Sequence, residues 1–177
     1  NRLEKQDASY NNLAGNWISE SVESVGSFGF RTREFRFKNR DWQIEVVFYA
    51  DKEKSKPLFS FIGEGRFQIG AKSSIVEPAH EANFSFSEKK LKLLTDDADV
   101  INQFGFGACG LKKGEFTDIS DSGCGNFTSV SVCGKEYDLV NIENGILRLG
   151  SRPSDGNMCS ADRRPKSVGS ALIPLNN

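Results

Sequence analysis

Hydrophobic and polar residues alternate through residues 30–48 with the period of two that β-strands produce. The residues that share a face in the first run are Arg33, Phe35 and Phe37, and those in the second run are Trp42, Ile44, Val46 and Phe48. The short polar break at residues 38–41 has the composition of a hairpin turn. This stretch therefore predicts two antiparallel strands, each with one apolar face.

Similar but shorter segments follow along the rest of the chain. The predicted strands are residues 16–23, 58–62, 66–69, 82–86, 91–94, 127–133, 137–142 and 146–149, and residues 171–175 either form an edge strand or lie over the sheet. Gly63-Glu64-Gly65 and the polar run 87–90 are predicted hairpin turns, and Asn144-Gly145 is a predicted type I′ turn. Residues 111–125 have no readable pattern, and residues 150–166 are predicted to form a loop.

These segments predict an antiparallel all-β domain that closes into a β-barrel of about eight to ten strands, because closure removes exposed sheet edges. The 14 Phe and 17 Gly residues agree with strands joined by tight turns. We assign residues 1–14 to a polar N-terminal lead-in and residues 15–177 to a single barrel domain. A β-sandwich is the alternative that periodicity leaves open.

Charge and hydropathy exclude some classes of partner. The net charge is -1, from 23 basic and 24 acidic residues, and it gives no electrostatic reason to expect nucleic acid. No apolar run approaches the roughly 20 residues of a membrane-spanning helix, so no transmembrane segment is predicted.

Four cysteines, Cys109, Cys124, Cys133 and Cys159, predict two disulfides in an oxidising compartment, with all three pairings open. Asn83 and Asn126 each begin an Asn-x-Ser/Thr sequon, which agrees with a secreted or lumenal protein. No metal site is predicted, because the chain has one histidine and lacks a Cys-x-x-Cys motif.

Signals of catalysis are weak in this sequence. His80 is the single histidine, and its best interpretation is a hydrogen-bonded residue where a loop enters a strand. The chain has no Gly-x-Ser-x-Gly motif, and Gly105-Phe106-Gly107 alone does not make a phosphate loop. We therefore predict no catalytic residue and no cofactor, and we keep a lipocalin-like enzyme as the third hypothesis.

Aromatic residues are the better functional signal, because ligand pockets are mostly apolar with a few polar groups. The predicted ligand-binding residues are Arg33, Phe35, Phe37, Trp42, Phe48, Phe59, Phe61, Phe67, Phe84 and Phe86. If the face of Arg33 is inward, its guanidinium needs a carboxylate or a buried acidic partner. The alternatives are that the aromatic residues simply fill the core and that Arg33 faces water.

Several motifs follow one another in a characteristic order. They are Trp17-Ile18-Ser19-Glu20-Ser21-Val22-Glu23, Phe30-Arg31-Thr32-Arg33, Tyr49-Ala50-Asp51, Lys54-Ser55-Lys56-Pro57, Ala79-His80-Glu81-Ala82-Asn83-Phe84, and Arg164-Pro165 before Ile173-Pro174-Leu175. Their order resembles the APC-down-regulated family of secreted or membrane-tethered Wnt inhibitors, mainly over residues 15–109. Two cysteines of the family pattern fall on Val22 and Lys54 here, as if one bridge were lost as a unit.

This resemblance implies a lipocalin-like barrel whose apolar cavity suits a fatty-acyl chain. As in lipocalins, Gly-x-Trp at the first strand implies that Trp17 closes one end, covered by an arginine such as Arg163 or Arg164. The first hypothesis is a carrier for a small hydrophobic ligand, with a lipidated protein as a second kind of partner. The second hypothesis is a protein-interaction module with a filled core.

Overall fold

A computed structural model of the chain describes residues 12–26 and 29–175. Its strands are β1 (Gly15–Ser19), β2 (Glu23–Ser24), β3 (Phe30–Lys38), β4 (Asp41–Tyr49), β5 (Pro57–Lys72), β6 (His80–Leu93), β7 (Thr117–Asp118), β8 (Lys135–Glu143), β9 (Ile146–Gly150) and β10 (Val168–Pro174). One short α-helix, α1 (Ala98–Gln103), follows β6. Most of the predicted lead-in, residues 1–11, lies outside the described residues.

Eight of these strands form a closed antiparallel barrel in the order β1-β10-β9-β8-β6-β5-β4-β3. The barrel closes because β1 pairs with β10 on one side and with β3 on the other. The short strands β2 and β7 extend the sheet beside β3 and β6. The predicted all-β barrel is therefore confirmed.

The hairpin of β3 and β4 agrees with the sequence prediction. All nine residue pairs from Phe30–Tyr49 to Lys38–Asp41 are in one register. Asn39 adopts φ 56° in the turn, a left-handed conformation that asparagine tolerates better than most residues. Since opposite residues share a face, this register puts Phe35 beside Ile44 and Phe37 beside Trp42.

Two predicted turns are wrong, because β5 and β6 are long continuous strands. β5 runs through Gly63-Glu64-Gly65 with only a register shift at Glu64 and Gly65. A side chain at Gly65 would meet the carbonyl oxygen of Ser85 at 1.9 Å, so glycine is required where the two strands come close. β6 likewise runs through residues 87–90, and Lys89 in this polar run is buried.

The C-terminal half follows the prediction in part. Asn144 and Gly145 have φ of 54° and 75°, as a type I′ turn requires, and residues 168–174 form a full barrel strand. Residues 127–133, predicted as a strand, are instead a chain of turns tied down by disulfides. The disulfides join Cys109 to Cys124 and Cys133 to Cys159.

The long connection between β6 and β8 packs its aromatic residues against one end of the barrel. The rings of Phe104, Phe106 and Phe127 surround Phe59 at centroid distances of 4.9, 5.0 and 5.9 Å. Phe127 also stacks on Phe61 at 4.7 Å. We call Phe104, Phe106 and Phe127 the aromatic cap. They cover the end of the barrel at which β5 begins.

Candidate functional site

Charged side chains lie on the inner face of the barrel among the aromatic residues. Arg31 is opposite Phe48, and Arg33 is opposite Val46 in the β3–β4 ladder. The other inner-face positions follow from their pairing partners: Lys89 is opposite Gly63, Glu136 is opposite Phe84, and Asp138 is opposite Ala82. Glu23 binds Arg31 and Arg33, and Arg152 binds Glu136. We call these seven residues the charged cluster: Glu23, Arg31, Arg33, Lys89, Glu136, Asp138 and Arg152.

Glu23 binds two arginines at once. Its carboxylate lies 2.8 Å from Arg33 Nε and 2.9 Å from Arg31 Nε, and Ser19 donates a hydrogen bond to it at 2.9 Å. The side chain of Glu23 is 3% exposed and that of Arg33 is 9% exposed. Burial alone raises the pKa of Glu23, but the charges of Arg33 and Arg31 outweigh it, so the pKa is lowered.

Lys89 is a buried cation held by neutral oxygen atoms. Its Nζ donates to the carbonyl oxygens of Thr128 and Cys133 at 2.8 and 3.0 Å. The same atom lies 4.5 Å from the ring centroid of Phe86, a cation–π distance. Burial lowers the pKa of Lys89, and the charge of Arg152 lowers it further, while Glu136 opposes both.

Arg152 enters the cluster from the loop after β9. Its Nη2 lies 2.6 Å from the Glu136 carboxylate, and its Nη1 donates to the carbonyl oxygen of Gly156 at 2.8 Å. Asp138 is buried and accepts hydrogen bonds from the backbone N–H groups of Leu139 and Gly150 at 2.7 and 2.8 Å. Burial raises the pKa of Asp138 to about 6, although these hydrogen bonds and Arg152 oppose the change.

Most of the predicted ligand-binding aromatic residues contact one another. Trp42 meets Phe84 and Phe86 at 5.0 and 5.2 Å, and Phe37 meets Phe67 at 5.2 Å, all edge to face. We call the residues of this group the aromatic layer: Phe35, Phe37, Trp42, Phe67, Phe84 and Phe86. All six are buried. Whether any of them binds a ligand stays a prediction.

Two inner-face apolar residues differ from the aromatic layer because they are only half-buried. They are Ile44, opposite Phe35 and the side-chain-free Gly63, and Phe48, opposite Arg31. Phe48 stacks on the fully buried Phe59 at 4.5 Å. Part of the surface of both side chains is therefore accessible rather than covered by neighbouring side chains.

The structure assigns clear partners to Arg33, Trp17 and Arg164. Arg33 has the buried acidic partner that its inward parity requires, namely Glu23. Trp17 is buried and donates from Nε1 to the carbonyl oxygen of Leu13 at 2.8 Å. The expected stacking of Arg164 on Trp17 is wrong: Arg164 lies 5.3 Å from the ring of Tyr137 and binds the carbonyl oxygens of Ala82 and Asp138.

The remaining candidate residues lie apart from the charged cluster. His80 Nδ1 is 3.1 Å from the carbonyl oxygen of Gly70. Asn126 is exposed, whereas Asn83 accepts a hydrogen bond from Arg164 at 3.0 Å. Within residues 12–26 and 29–175, no group of three His, Cys, Asp or Glu side chains is arranged to hold a metal ion. No helix in the same ranges has the length and apolar character to cross a membrane.

Two grooves open on the surface of the barrel, and each has several charged residues in its wall. One of 390 Å³ is lined mainly by charged residues of β3, β4 and β5, and one of 220 Å³ is lined by Arg40, Arg66 and Lys135 with uncharged neighbours. Neither groove includes Ile44 or Phe48, which share the inner face of the barrel with Arg31 and Arg33. We therefore take the barrel interior as the candidate binding site.

Sequence reasoning singled out only Arg33 among the seven residues of the charged cluster and missed the other six. Glu23 and Lys89 lie in segments where a polar residue predicts a solvent-facing position or a turn, and Arg152 lies in a predicted loop. The pairing of β6 with β8 places Glu136 opposite Phe84 and Asp138 opposite Ala82. A single sequence does not show this pairing. Strand parity on β8 was the one available signal, because Glu136 and Asp138 share parity with Val140 and Ile142.

Comparison with protein families agrees with this architecture. The family model described as Adenomatosis polyposis coli down-regulated 1 matches residues 2–116, which is more than half of the chain. The match contains β1 to β6 and α1 and ends just before β7. The matched region therefore holds Glu23, Arg31, Arg33 and Lys89 and most of the aromatic residues. The chain belongs to the Adenomatosis polyposis coli down-regulated 1 family.

Proposed function

We propose that this domain is a secreted or lumenal binding protein that holds one small hydrophobic ligand, such as a fatty-acyl chain, inside its barrel. The observation that carries the proposal is the half-buried state of Ile44 and Phe48 on the inner face. Apolar side chains inside a closed barrel are normally covered by other side chains, and an apolar ligand would cover these two.

The surroundings of Ile44 and Phe48 support an apolar ligand. Phe48 is continuous with the aromatic cap through Phe59, and Ile44 lies on the same face of β4 as Phe48. Covering such surface with hydrocarbon is favourable at about 25 cal/mol per Å². The ligand could arrive free or as the lipid of a lipidated protein, and both disulfides agree with an oxidising, extracytoplasmic location.

The test is native mass spectrometry of protein from its own source, followed by organic extraction and titration with a fluorescent fatty acid. We expect a discrete extra mass, saturable one-to-one binding, and at least about tenfold weaker binding in Phe48→Asp, because a carboxylate would replace apolar contact surface. Val132→Asp is the matched control, since Val132 is 71% exposed. No extra mass and no saturable binding of any acyl probe would refute the proposal.

A second candidate is a protein-interaction module that needs no ligand. The mutual contacts of the aromatic layer favour it, because they fill that part of the interior with the protein's own rings. A bare polypeptide mass together with unchanged stability on addition of acyl probes would support this candidate over the carrier. We propose no enzymatic role, and an acyl-ester turnover that His80→Ala abolishes would argue for one.

A further inference from the structure

Two arginines of the charged cluster keep hydrogen-bond donors that the protein does not use. Arg31 binds Glu23 through Nε. Among the described residues its hydrogen bond is made by Nε, and its side chain is 21% exposed, so the Nη groups are accessible. Arg152 binds Glu136 and Gly156 through its Nη groups, and its side chain is 38% exposed. Both guanidinium groups can therefore donate to a molecule that enters the barrel.

The other two cations of the cluster are occupied by the protein itself. Arg33 is bound by Glu23 through Nε and Nη2, and it lies 5.6 Å from the ring centroid of Phe35. Lys89 donates to three oxygen atoms of Thr128 and Cys133. These two residues contribute positive charge to the barrel interior without offering donors to a ligand.

Positive charge exceeds negative charge in the cluster. Four cations, Arg31, Arg33, Lys89 and Arg152, stand against the three carboxylates of Glu23, Glu136 and Asp138. Burial and the charge of Arg33, with a smaller contribution from Arg152, lower the pKa of Arg31 to about 10, although Glu23 opposes them. A guanidinium in such an environment gains stability when an anion comes between it and the other cations.

The position of Phe48 connects this anion site to apolar surface. Phe48 lies directly opposite Arg31 in the β3–β4 ladder, so their side chains are neighbours on the inner face. We propose that Arg31 and Arg152 bind the acidic head group of a single-chain amphiphile whose hydrocarbon chain lies against Phe48 and Ile44. This inference rests on the proposed binding function and adds that an acid is preferred over its neutral ester.

The test compares cis-parinaric acid with its methyl ester by fluorescence titration of the whole chain. We expect the acid to bind about tenfold more tightly than the ester, because charge-assisted hydrogen bonds to guanidinium are lost on esterification. Arg31→Gln and Arg152→Gln should each remove most of this preference and leave ester binding unchanged. Arg36→Gln is the control, because Arg36 lies on the same strand with 55% of its side chain exposed and pairs with Glu34.

Each possible result decides between the head-group site and the proposed function. Equal binding of acid and ester would overturn the head-group site and leave the proposed function standing, whereas binding of neither probe would overturn both. Arg152→Gln guards against misfolding of the Arg31 variant, since Arg152 comes from a loop and leaves the Glu23 pairs intact. Lysophosphatidic acid, measured in parallel, distinguishes a phosphate head group from a carboxylate. Tighter binding than that of the fatty acid would identify the preferred head group as a phosphate, and weaker binding would identify it as a carboxylate.

Discussion

On one part of the barrel's inner face, aromatic rings pack on one another, whereas a few residues further along the same strands charged side chains take their place. Strand β3 contains both: Phe37 and Phe35 belong to the aromatic layer, and Arg33 and Arg31 belong to the charged cluster. The rings contact each other at centroid distances of about 5 to 6 Å. The arginines instead meet one carboxylate, that of Glu23.

The comparison shows that one inner face serves two physical purposes. In the aromatic layer, stability comes from the burial of apolar surface, and nothing remains unsatisfied. In the charged cluster, each buried ion costs free energy that its partners must offset, so the cluster is a poor source of stability. The proposed head-group site would give the cluster a role that stability alone does not, with the aromatic layer as its support.

The largest effect is expected in the aromatic layer. Phe84→Ala should lower the free energy of unfolding by about 3–5 kcal/mol, because Phe84 is 3% exposed and contacts Phe37, Trp42 and Phe67. Denaturant unfolding measures this change. Phe116→Ala, at a position that is 37% exposed, is the control and should cost much less. Equal losses for both variants would contradict the assignment of the layer as the main stabilising core.

A smaller loss is expected when the charged cluster is opened. Glu23→Gln should lower the free energy of unfolding by about 3 kcal/mol at neutral pH, because it leaves Arg33 buried without its counter-ion. The lowered pKa of Glu23 means that the stability it contributes is present above the ordinary value of 4.5 and is lost as pH falls through the folded-state pKa. The difference between wild type and variant should therefore shrink in acid.

Glu34→Gln is the matched control for this variant. Glu34 is a neighbour of Arg36 at 3.6 Å, but 55% of the Arg36 side chain is exposed. Such pairs contribute about 0–1 kcal/mol, so the change in unfolding free energy should be small at every pH. If Glu23→Gln behaved like Glu34→Gln, the carboxylate of Glu23 would not be needed to hold the two arginines inside the barrel.

The sequence predicts the aromatic layer far better than the charged cluster, and the reason lies in β3 and β6. In β3 and β4, alternation is unbroken and the turn is short, so parity alone identifies Phe35, Phe37 and Trp42 as neighbours. In β6, the run Glu88-Lys89-Lys90 has the composition of a turn. Lys89 is buried only because Thr128 and Cys133, about 40 residues away, supply carbonyl oxygens.

The same limit applies to the ends of the barrel. Trp17, Phe59 and the β8–β9 turn follow local patterns, and the predicted barrel is confirmed. Arg152 and Arg164 lie in or next to a segment without periodicity, so their partners depend on how the loop after β9 folds back along β8. Tyr137, for example, donates its backbone N–H to the carbonyl oxygen of Met158. Such long-range pairing has no signal in a single sequence.

The smallest effect is expected at Asp138, a buried carboxylate of the charged cluster. Its pKa is raised to about 6 from an ordinary 3.8, so its ionisation opposes folding: stability falls as pH rises from about pH 4 to about pH 6 and stays lower above it. Asp138→Asn should keep the acceptor for the N–H groups of Leu139 and Gly150 and gain about 1–2 kcal/mol at neutral pH, with little change in acid. Asp41→Asn, at an exposed site, is the control. Parallel pH profiles for wild type and Asp138→Asn would mean that Asp138 ionises as freely in the folded barrel as in the unfolded chain.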